Sequence, residues 1–213
     1  MDFKVFDRNE HWICNLTNLI SAKHSEEING EDTLTFEVLS RDSEFIEKGS
    51  RIVYKDKYGY WHEFVVKGID ESHVADGVIK NVFCESSFYE TLGDYVEDRR
   101  PQDTTANIAL ARALETTRWE VGIVDDLGIN STNFYHISAK EAVHKVAEVW
   151  KGEIRTRVEV AGTQITHRYV DLLARRGGDY GRRFTYTKDL ESVTRIVHRD
   201  DVITALYGYG KGE

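Results

Sequence analysis

The sequence of 213 residues contains a single proline and two cysteines, and it has no long apolar run. The scarcity of proline and the lack of any biased tract exclude collagen-like and proline-rich classes. No segment approaches the ~18 apolar residues that a membrane-spanning helix needs, and residues 1–9 alternate charged with apolar side chains, unlike a signal peptide. With 40% hydrophobic and 31% charged residues, a disordered chain is also excluded. We expect a folded protein without membrane insertion and without an export signal.

Negative charge is concentrated in the first half of the chain. The net charge is −9, and residues 1–100 hold 12 basic and 21 acidic side chains, whereas residues 101–213 hold 16 of each. Such a negative surface disfavours specific binding to nucleic acid or to an anionic membrane. The change in charge near residue 100 indicates two domains.

The two cysteines, Cys14 and Cys84, are far apart in the sequence. Their number and spacing are compatible with one disulfide or with two buried free thiols. For a chain made inside the cell, free and reduced thiols are favoured.

Short alternating segments separated by turn residues dominate residues 1–90. Asp7–Glu10 is typical of a hairpin loop, Asn29–Gly30 of a turn, and Asp76–Gly77 of a further turn. Turns at intervals of 8–15 residues are typical of an antiparallel barrel or sandwich. The predicted strands are Phe3–Phe6, Trp12–Cys14, Leu34–Val38, Arg51–Lys55, Tyr60–Lys67, Ile69–Val74 and Val78–Cys84.

Helical patterns begin after Ser86. The pattern predicts one helical turn at residues 87–92. It also predicts a helix that is capped by Thr104 or Thr105 and ends at about Leu114, with an apolar stripe formed by Ile108, Ala111 and Leu114. A capping box at Ser138–Glu141 begins a second helix, whose buried stripe is Val143, Val146, Ala147 and Trp150 and which ends at Gly152. A hairpin of residues 153–160 and 164–173 follows, and residues 185–186 and 192–197 return to strand character.

The pattern predicts an α+β, mainly β protein. An antiparallel β-barrel domain spans residues 1–95, and a smaller α+β domain with two helices and a β-hairpin spans residues 96–197. Residues 198–213 begin a further barrel: residues 201–207 form a strand that runs into the glycine turn at 208–212. Because a strand that ends on such a turn normally continues into a partner strand, we expect either that the sequence was cut from a longer one or that this strand pairs elsewhere.

No constellation of residues predicts catalysis. His11 and Cys14 lack a second pair of metal ligands, and on a strand they point to opposite faces. Cys84 lies in an apolar run that would raise its pKa, and nothing places Cys14 or Cys84 beside a histidine. The sequence therefore predicts no catalytic, metal-binding or cofactor-binding residue. Three functional alternatives can be drawn from the residues. A cysteine peptidase would pair Cys14 or Cys84 with His62, His73 or His167. The acidic pairs Asp125–Asp126 and Asp200–Asp201 would serve acid–base catalysis or calcium binding, and Gly208, Gly210 and Gly212 would form a phosphate loop.

Two surface features leave a binding role open. Arg175–Arg176 and Arg182–Arg183 flank a loop with Tyr180, and they either grip an acidic partner, phosphate or glycan, or are solvated charges that offset nearby acids. A group of aromatic residues either reads cell-wall carbohydrate or forms a cluster at the strand tips that covers one end of the barrel. That group consists of Trp12, Tyr58, Tyr60 and Trp61.

Several stretches in order resemble the N-terminal region of phage tail-tip proteins of the prophage tail endopeptidase, or tail-associated lysin, family, which are related to the baseplate hub of contractile tails. The early strand pair resembles the family's signature, and the later stretches resemble its helices and the entry to its next barrel. These stretches are residues 27–36, 116–122, 138–153, 189–195 and 202–210.

The resemblance implies a baseplate-hub-like structural protein of the virion that is not an enzyme. It implies a homotrimer whose ring caps the tail tube and binds the distal tail ring protein, with the tape-measure protein or tail tube as a further partner. Any peptidase would lie further toward the C-terminus, and no catalytic residue is carried over. Because DNA would pass through the ring, we expect the acidic first half to line the channel, where it would repel the phosphate backbone.

Overall fold

The computed structural model describes residues 3–74, 77–178 and 181. Residues 1–176 form one compact unit, and every helix and strand of the described residues belongs to it. The predicted strands at 185–186, 192–197 and 201–207 lie outside the described residues.

Seven strands and one short helical turn make up the first part of the unit. Each predicted hairpin is present, although the turn residue Asp76 lies outside the described residues. The strands are β1 Phe3–Phe6, β2 Trp12–Leu16, β3 Leu19–Glu26, β4 Asp32–Leu39, β5 Arg51–Lys55, β6 Trp61–Val74 and β7 Gly77–Ser86; the turn is Ser40–Asp42.

The second part contains both helices. A short helical turn at Ser87–Leu92 leads into it, as predicted. The elements are β8 Tyr95–Arg99, β9 Thr104–Thr105, α1 Ala106–Leu114, β10 Glu120–Val124, β11 Ile129–Asn130, β12 Phe134–Ser138, α2 Ala139–Trp150, β13 Glu153–Ala161 and β14 Gln164–Leu173. The predicted mainly β, α+β fold class is confirmed, and β10 with β14 is the one parallel pair among the described strands.

The first seven strands curl into a barrel-like sheet. They are ordered β2-β1-β5-β6-β7-β4-β3, and neighbouring strands are antiparallel. The rings of Phe3 on β1 and Phe36 on β4 are nevertheless in edge-to-face contact, with centroids 5.2 Å apart. Since β1 and β4 are four places apart in the order, the sheet must bend around this contact. The first apolar core lies inside the bend.

Strand β5 and residues 62–66 of β6 are buried on both faces. Ile52 and Tyr54 point into the barrel core, whereas Val53 between them belongs to a second core that includes both helices. β6 also pairs with β13, where Trp61 lies opposite Val158. One continuous sheet therefore carries both cores.

Helix α2 follows its predicted pattern. The Ser138 hydroxyl accepts from the Glu141 amide, and the Glu141 carboxylate accepts from the Ser138 amide, which completes the capping box. The predicted apolar stripe is buried. The helix ends at Trp150, and the left-handed residue is Lys151, with φ of 56°. Gly152 is required for a different reason: a β-carbon there would lie 2.7 Å from Leu172 Cγ.

Two local predictions were wrong. In α1 the residue Ile108 of the predicted stripe is half exposed. The buried face instead consists of Ala106, Ala109, Leu110, Ala113 and Leu114. The small alanines are on this face because they allow α1 to approach α2 closely. The segments predicted as separate strands at 60–67 and 69–74 form the single strand β6. Its register shifts between Val66 and Gly68, so that Lys67 is the extra residue of a bulge.

Candidate functional site: an ionic junction between the first strands and the later sheet

A buried carboxylate, that of Glu63, lies at the centre of the strongest polar cluster in the described residues. Its side chain is fully buried on β6. Arg168 on β14 binds both oxygens, with Nε 2.7 Å from Oε2 and Nη2 2.8 Å from Oε1. Arg51 Nη1 lies 3.0 Å from Oε1, and the Ser87 hydroxyl donates to Oε2 at 2.8 Å. Both carboxylate oxygens of Glu63 thus accept hydrogen bonds, and a carboxylate can be buried at an acceptable free-energy cost only when it is paired in this way.

Three further charged residues extend this cluster, which we call the ionic junction. Arg51 Nη2 binds Glu90 Oε1 at 3.0 Å, and Arg168 Nη2 binds Glu10 Oε1 at 2.8 Å. Arg118 pairs with both Glu10 and Glu90. The ionic junction consists of Glu10, Arg51, Glu63, Glu90, Arg118 and Arg168, so three carboxylates face three guanidinium groups. Part of the negative charge of residues 1–100 is therefore neutralised inside the molecule by arginines of the second half.

The arginines control the ionisation of the junction. Burial by itself raises the pKa of Glu63, but the hydrogen bonds and charges of Arg168 and Arg51 outweigh burial and hold that pKa below its ordinary value of 4.5. The same balance holds the pKa of Glu10 below 4.5, with Arg168 as the main partner. Both groups are charged at neutral pH and occupied by hydrogen bonds. The arrangement therefore joins parts of the fold and does not provide a poised acid or base.

A second attachment joins the turn between β3 and β4 to the start of β13. The Asn29 side chain accepts from the Ile154 amide at 2.7 Å through Oδ1 and donates to the Gly152 carbonyl at 2.9 Å through Nδ2. Asn29 has a left-handed φ of 54°, a conformation that asparagine tolerates better than most residues. Its side chain therefore serves as a short hydrogen-bonding partner for a backbone more than 120 residues away.

Arg176 reinforces this attachment. Its guanidinium lies 2.6 Å from Glu26 on β3 and donates to the Ile154 carbonyl at 3.0 Å. Glu26, Asn29 and Arg176 line a cleft together with Tyr89 and His144. Burial, followed by the charge of Lys140, lowers the pKa of His144, so this histidine is neutral at neutral pH. Arg176 thus offsets a nearby acid, but its side chain is only 19% exposed and is therefore not one of the solvated loop charges of the second alternative.

The predicted sulfur and histidine candidates are not brought together into a reactive site. His11 is exposed in the first hairpin loop and lies 3.1 Å from Asp7, while Cys14 is half buried on β2. Cys84 is fully buried in the barrel core, and burial raises its pKa, as predicted. His62 is stacked on Tyr54 and bonded to Asp56, and His167 is bonded to Glu120. Among the described residues, no group of three or more His, Cys, Asp or Glu side chains could hold a metal ion.

The acidic pair at Asp125–Asp126 binds backbone. Asp125 accepts from the Ala174 amide at 2.8 Å, and Asp126 accepts from the Gly128 amide at 3.1 Å. His73 and Arg175 are exposed. The remaining candidates lie outside the described residues; these are Asp200–Asp201, the glycines at 208, 210 and 212, Tyr180 and Arg182–Arg183.

The aromatic cluster predicted at the strand tips is not formed. Within the described part of the chain, no ring contact joins Trp12, Tyr58, Tyr60 and Trp61. Every one of these rings except that of Trp12 instead makes a cation–π contact. Lys57 lies over Tyr58, Arg155 lies over Tyr60, and both Lys4 and Lys55 lie over Trp61. Trp61 packs against the second core, and Trp12 and Tyr58 are exposed. Tertiary packing has separated residues that the sequence places close together.

The residues of the ionic junction were missed at the sequence level. The available signal was a charge inside an apolar strand, since Glu63 precedes Phe64, Val65 and Val66. Such a charge is costly to bury unless it is paired, so it marks a partner elsewhere in the fold. The sequence does not say which arginine that partner is.

Two family models match consecutive parts of the chain. The prophage endopeptidase tail N-terminal domain matches residues 3–86, and the prophage endopeptidase tail domain matches residues 93–172. The first match covers the barrel-like sheet, and the second covers the helical part and its hairpin. This chain belongs to the prophage tail proteins of that family. It is a phage tail protein.

Solved structures share the fold. The chain is similar to prophage tail protein gp18 from Listeria monocytogenes EGD-e, with a TM-score of 0.58 and 16% identity over 80% of this chain and 50% of that one. It is also similar to the tail protein from Neisseria meningitidis MC58, with a TM-score of 0.52 and 9% identity over 88% of this chain and 56% of that one. The chain thus spans about half the length of these proteins. None of the curated proteins matches the sequence significantly.

No helix in the described residues is long and apolar enough to cross a bilayer.

Proposed function

We propose that this chain is a hub protein of the phage tail tip or baseplate. In this role three copies form a ring that caps the tail tube and links it to the host-contacting apparatus. The observation that carries the proposal is the ionic junction, in which Arg118 and Arg168 of the second family region neutralise carboxylates of the first. A ring subunit must hold its parts at fixed angles so that copies meet with one geometry.

The partners follow from this role. They are two further copies of the chain, the distal tail ring protein, and the tape-measure protein or tail tube. The chain acts in the virion without a cofactor and without catalysis of its own. The burial of Cys84 supports this, because a thiol with a raised pKa in an apolar core is a poor nucleophile. Any cell-wall peptidase would reside in a more C-terminal region.

Native mass spectrometry tests the proposal. The full chain is measured alone and mixed with the distal tail ring protein of the same phage. We expect a trimer, or a complex in which three copies bind one distal ring. A chain that stays monomeric and never joins the ring would contradict the proposal.

A matched pair of variants links the assembly to the ionic junction. Arg168→Met removes a buried partner of Glu63, whereas Arg112→Met removes an exposed arginine 3.9 Å from Glu115 on α1. We expect Arg168→Met to lower the yield of the complex and Arg112→Met to leave it unchanged. Equal yields from the two variants would show that assembly does not require the junction.

A further inference from the structure

Two arginines of β13 and Tyr169 of β14 form a row with Tyr60, which lies just before β6, on the side of the sheet that points away from the helices. Ile154 and Val158 of β13 pack into the second core, so the alternating residues Arg155 and Arg157 point to the opposite face. The guanidinium of Arg155 lies 4.3 Å from the ring centroid of Tyr60, and that of Arg157 lies 4.4 Å from the ring of Tyr169.

A buried carboxylate fixes both guanidinium groups. Asp171 on β14 is fully buried and lies between the two arginines. It accepts from Arg155 Nη2 at 2.7 Å, from Arg157 Nε at 3.0 Å and from the Ile123 amide at 2.7 Å. One negative charge thus faces two positive charges. The two arginines and Asp171 together carry a net charge of about +1.

Each arginine retains a donor atom that is in contact with solvent, although the side chains of Arg155 and Arg157 are only 14% and 17% exposed. Within the described residues, Arg155 Nη1 and Arg157 Nη2 donate no hydrogen bond, and neither atom is among the buried atoms that lack a partner. Arg157 Nη1 lies 3.7 Å from the exposed Glu159. Two neighbouring guanidinium edges, held by stacking and by Asp171, have the donors that a carboxylate binds in bidentate fashion.

The rim of the row selects the kind of anion. Glu159 and Glu120 are both half exposed at its edge, and Glu120 is bonded to His167. These carboxylates repel a polyanion such as DNA, which requires several unopposed cations. A single carboxylate side chain can instead pass between Glu159 and Glu120 and reach the two arginines. Tyrosine and arginine are also the residue types that dominate binding energy at protein interfaces.

We infer that the row formed by Tyr60, Arg155, Arg157 and Tyr169 is an interface that binds an exposed acidic side chain of a second copy of this chain. The second copy is the partner that fits by charge, since its residues 1–100 hold 21 acidic and 12 basic side chains. The inference rests on the proposed ring, and it names a surface through which the copies meet.

Sedimentation velocity of the full chain tests this interface. The variant Arg155→Lys/Arg157→Lys keeps the positive charge beside Asp171 but removes the bidentate donors and the stacking. The control is Arg112→Lys on the exposed face of α1, and circular dichroism verifies that each variant is folded. We expect self-association of the double variant to weaken by about tenfold or more, with the control unchanged.

The outcomes separate the interface from the ring. A double variant that associates as tightly as the unmodified chain overturns the interface and leaves the ring intact. An unmodified chain that is monomeric at every concentration, alone and with the distal ring protein, overturns both.

Chemical footprinting needs no variant and covers the case in which the double variant does not fold. Phenylglyoxal modifies accessible arginines, and the sites are read by mass spectrometry. We expect Arg155 and Arg157 to be modified more slowly in the assembled fraction than in the dilute monomer, while Arg112 reacts equally in both. Equal modification of Arg155 and Arg157 in the two fractions would contradict the interface.

Discussion

Gly122 and Asp171 are in such close contact that no other residue type fits at position 122 without a shift. A β-carbon on Gly122 would lie 2.0 Å from Asp171 Oδ1 and 3.1 Å from Tyr169 Cβ. The carboxylate cannot move freely, because Arg155, Arg157 and the Ile123 amide hold it. The parallel pairing of β10 with β14 therefore depends on a glycine.

The variant Gly122→Ala tests this contact. We expect it to lower the free energy of unfolding by about 1–3 kcal/mol, the usual cost of overpacking. Urea unfolding measures the change. The matched control is Gly68→Ala on β6, where the nearest atom to an added β-carbon is Phe83 Cβ at 3.8 Å. A loss of stability in the control as large as that in Gly122→Ala would refute the steric explanation.

Asn29 combines two roles that substitutions can separate. Asn29→Gly keeps the left-handed conformation but removes both hydrogen bonds, whereas Asn29→Ala removes the bonds and adds backbone strain. We expect Asn29→Gly to cost about 1–3 kcal/mol and Asn29→Ala roughly 1 kcal/mol more. Hydrogen exchange of the Ile154 amide should accelerate in both variants. Unchanged protection of that amide would show that the bond to Asn29 is not formed in solution.

The pair formed by Glu63 and Arg168 predicts a strong energetic coupling. Arg168→Met leaves a fully buried carboxylate short of a partner, and we expect a loss of about 3–5 kcal/mol in urea unfolding. The double variant Glu63→Gln/Arg168→Met should be less destabilised than the sum of the two single variants. Additive effects in this cycle would mean that the two side chains do not interact.

The lowered pKa values of Glu63 and Glu10 predict acid sensitivity. Their pKa values in the folded state lie below the ordinary 4.5, so the unfolded state binds more protons at low pH. Their contribution to stability is complete above pH 4.5 and is lost as the pH falls through the folded-state values. We expect the free energy of unfolding to decrease as the pH is lowered from about 6 to about 3. The decrease should be smaller in Glu63→Gln, and an identical slope in that variant would argue against the junction as its source.

Local sequence patterns predict local structure well in this chain. The capping box from Ser138 to Glu141 and the turn at Asn29–Gly30 are encoded within a few residues, and both are present. The stripe predicted for α1 failed because alanines carry a weak hydrophobic signal, whereas Ile108 carries a strong one. Close packing against α2 nevertheless selects the small residues.

Contacts between distant residues could not be predicted in this way. Arg168 and Glu63 are separated by 105 positions, and no periodicity relates them. The turn chemistry of Asn29 indicates where the chain reverses but not that its amide binds Gly152 and Ile154. Part of the difference in charge between the halves is cancelled inside the fold, because Arg118 and Arg168 bind carboxylates of the first half. Sequence alone predicted the class of protein correctly and carried no information on the partners within the ionic junction.

The burial of β5 and of residues 62–66 of β6 on both faces has a mechanical consequence. A tail attached to a cell experiences pulling and bending forces, and a protein fails first at its weakest internal boundary. The same strands carry side chains of both apolar cores, so a plane that separates the two cores within the described residues must break β-ladder hydrogen bonds. Tension across this boundary would therefore load many backbone hydrogen bonds in shear at once.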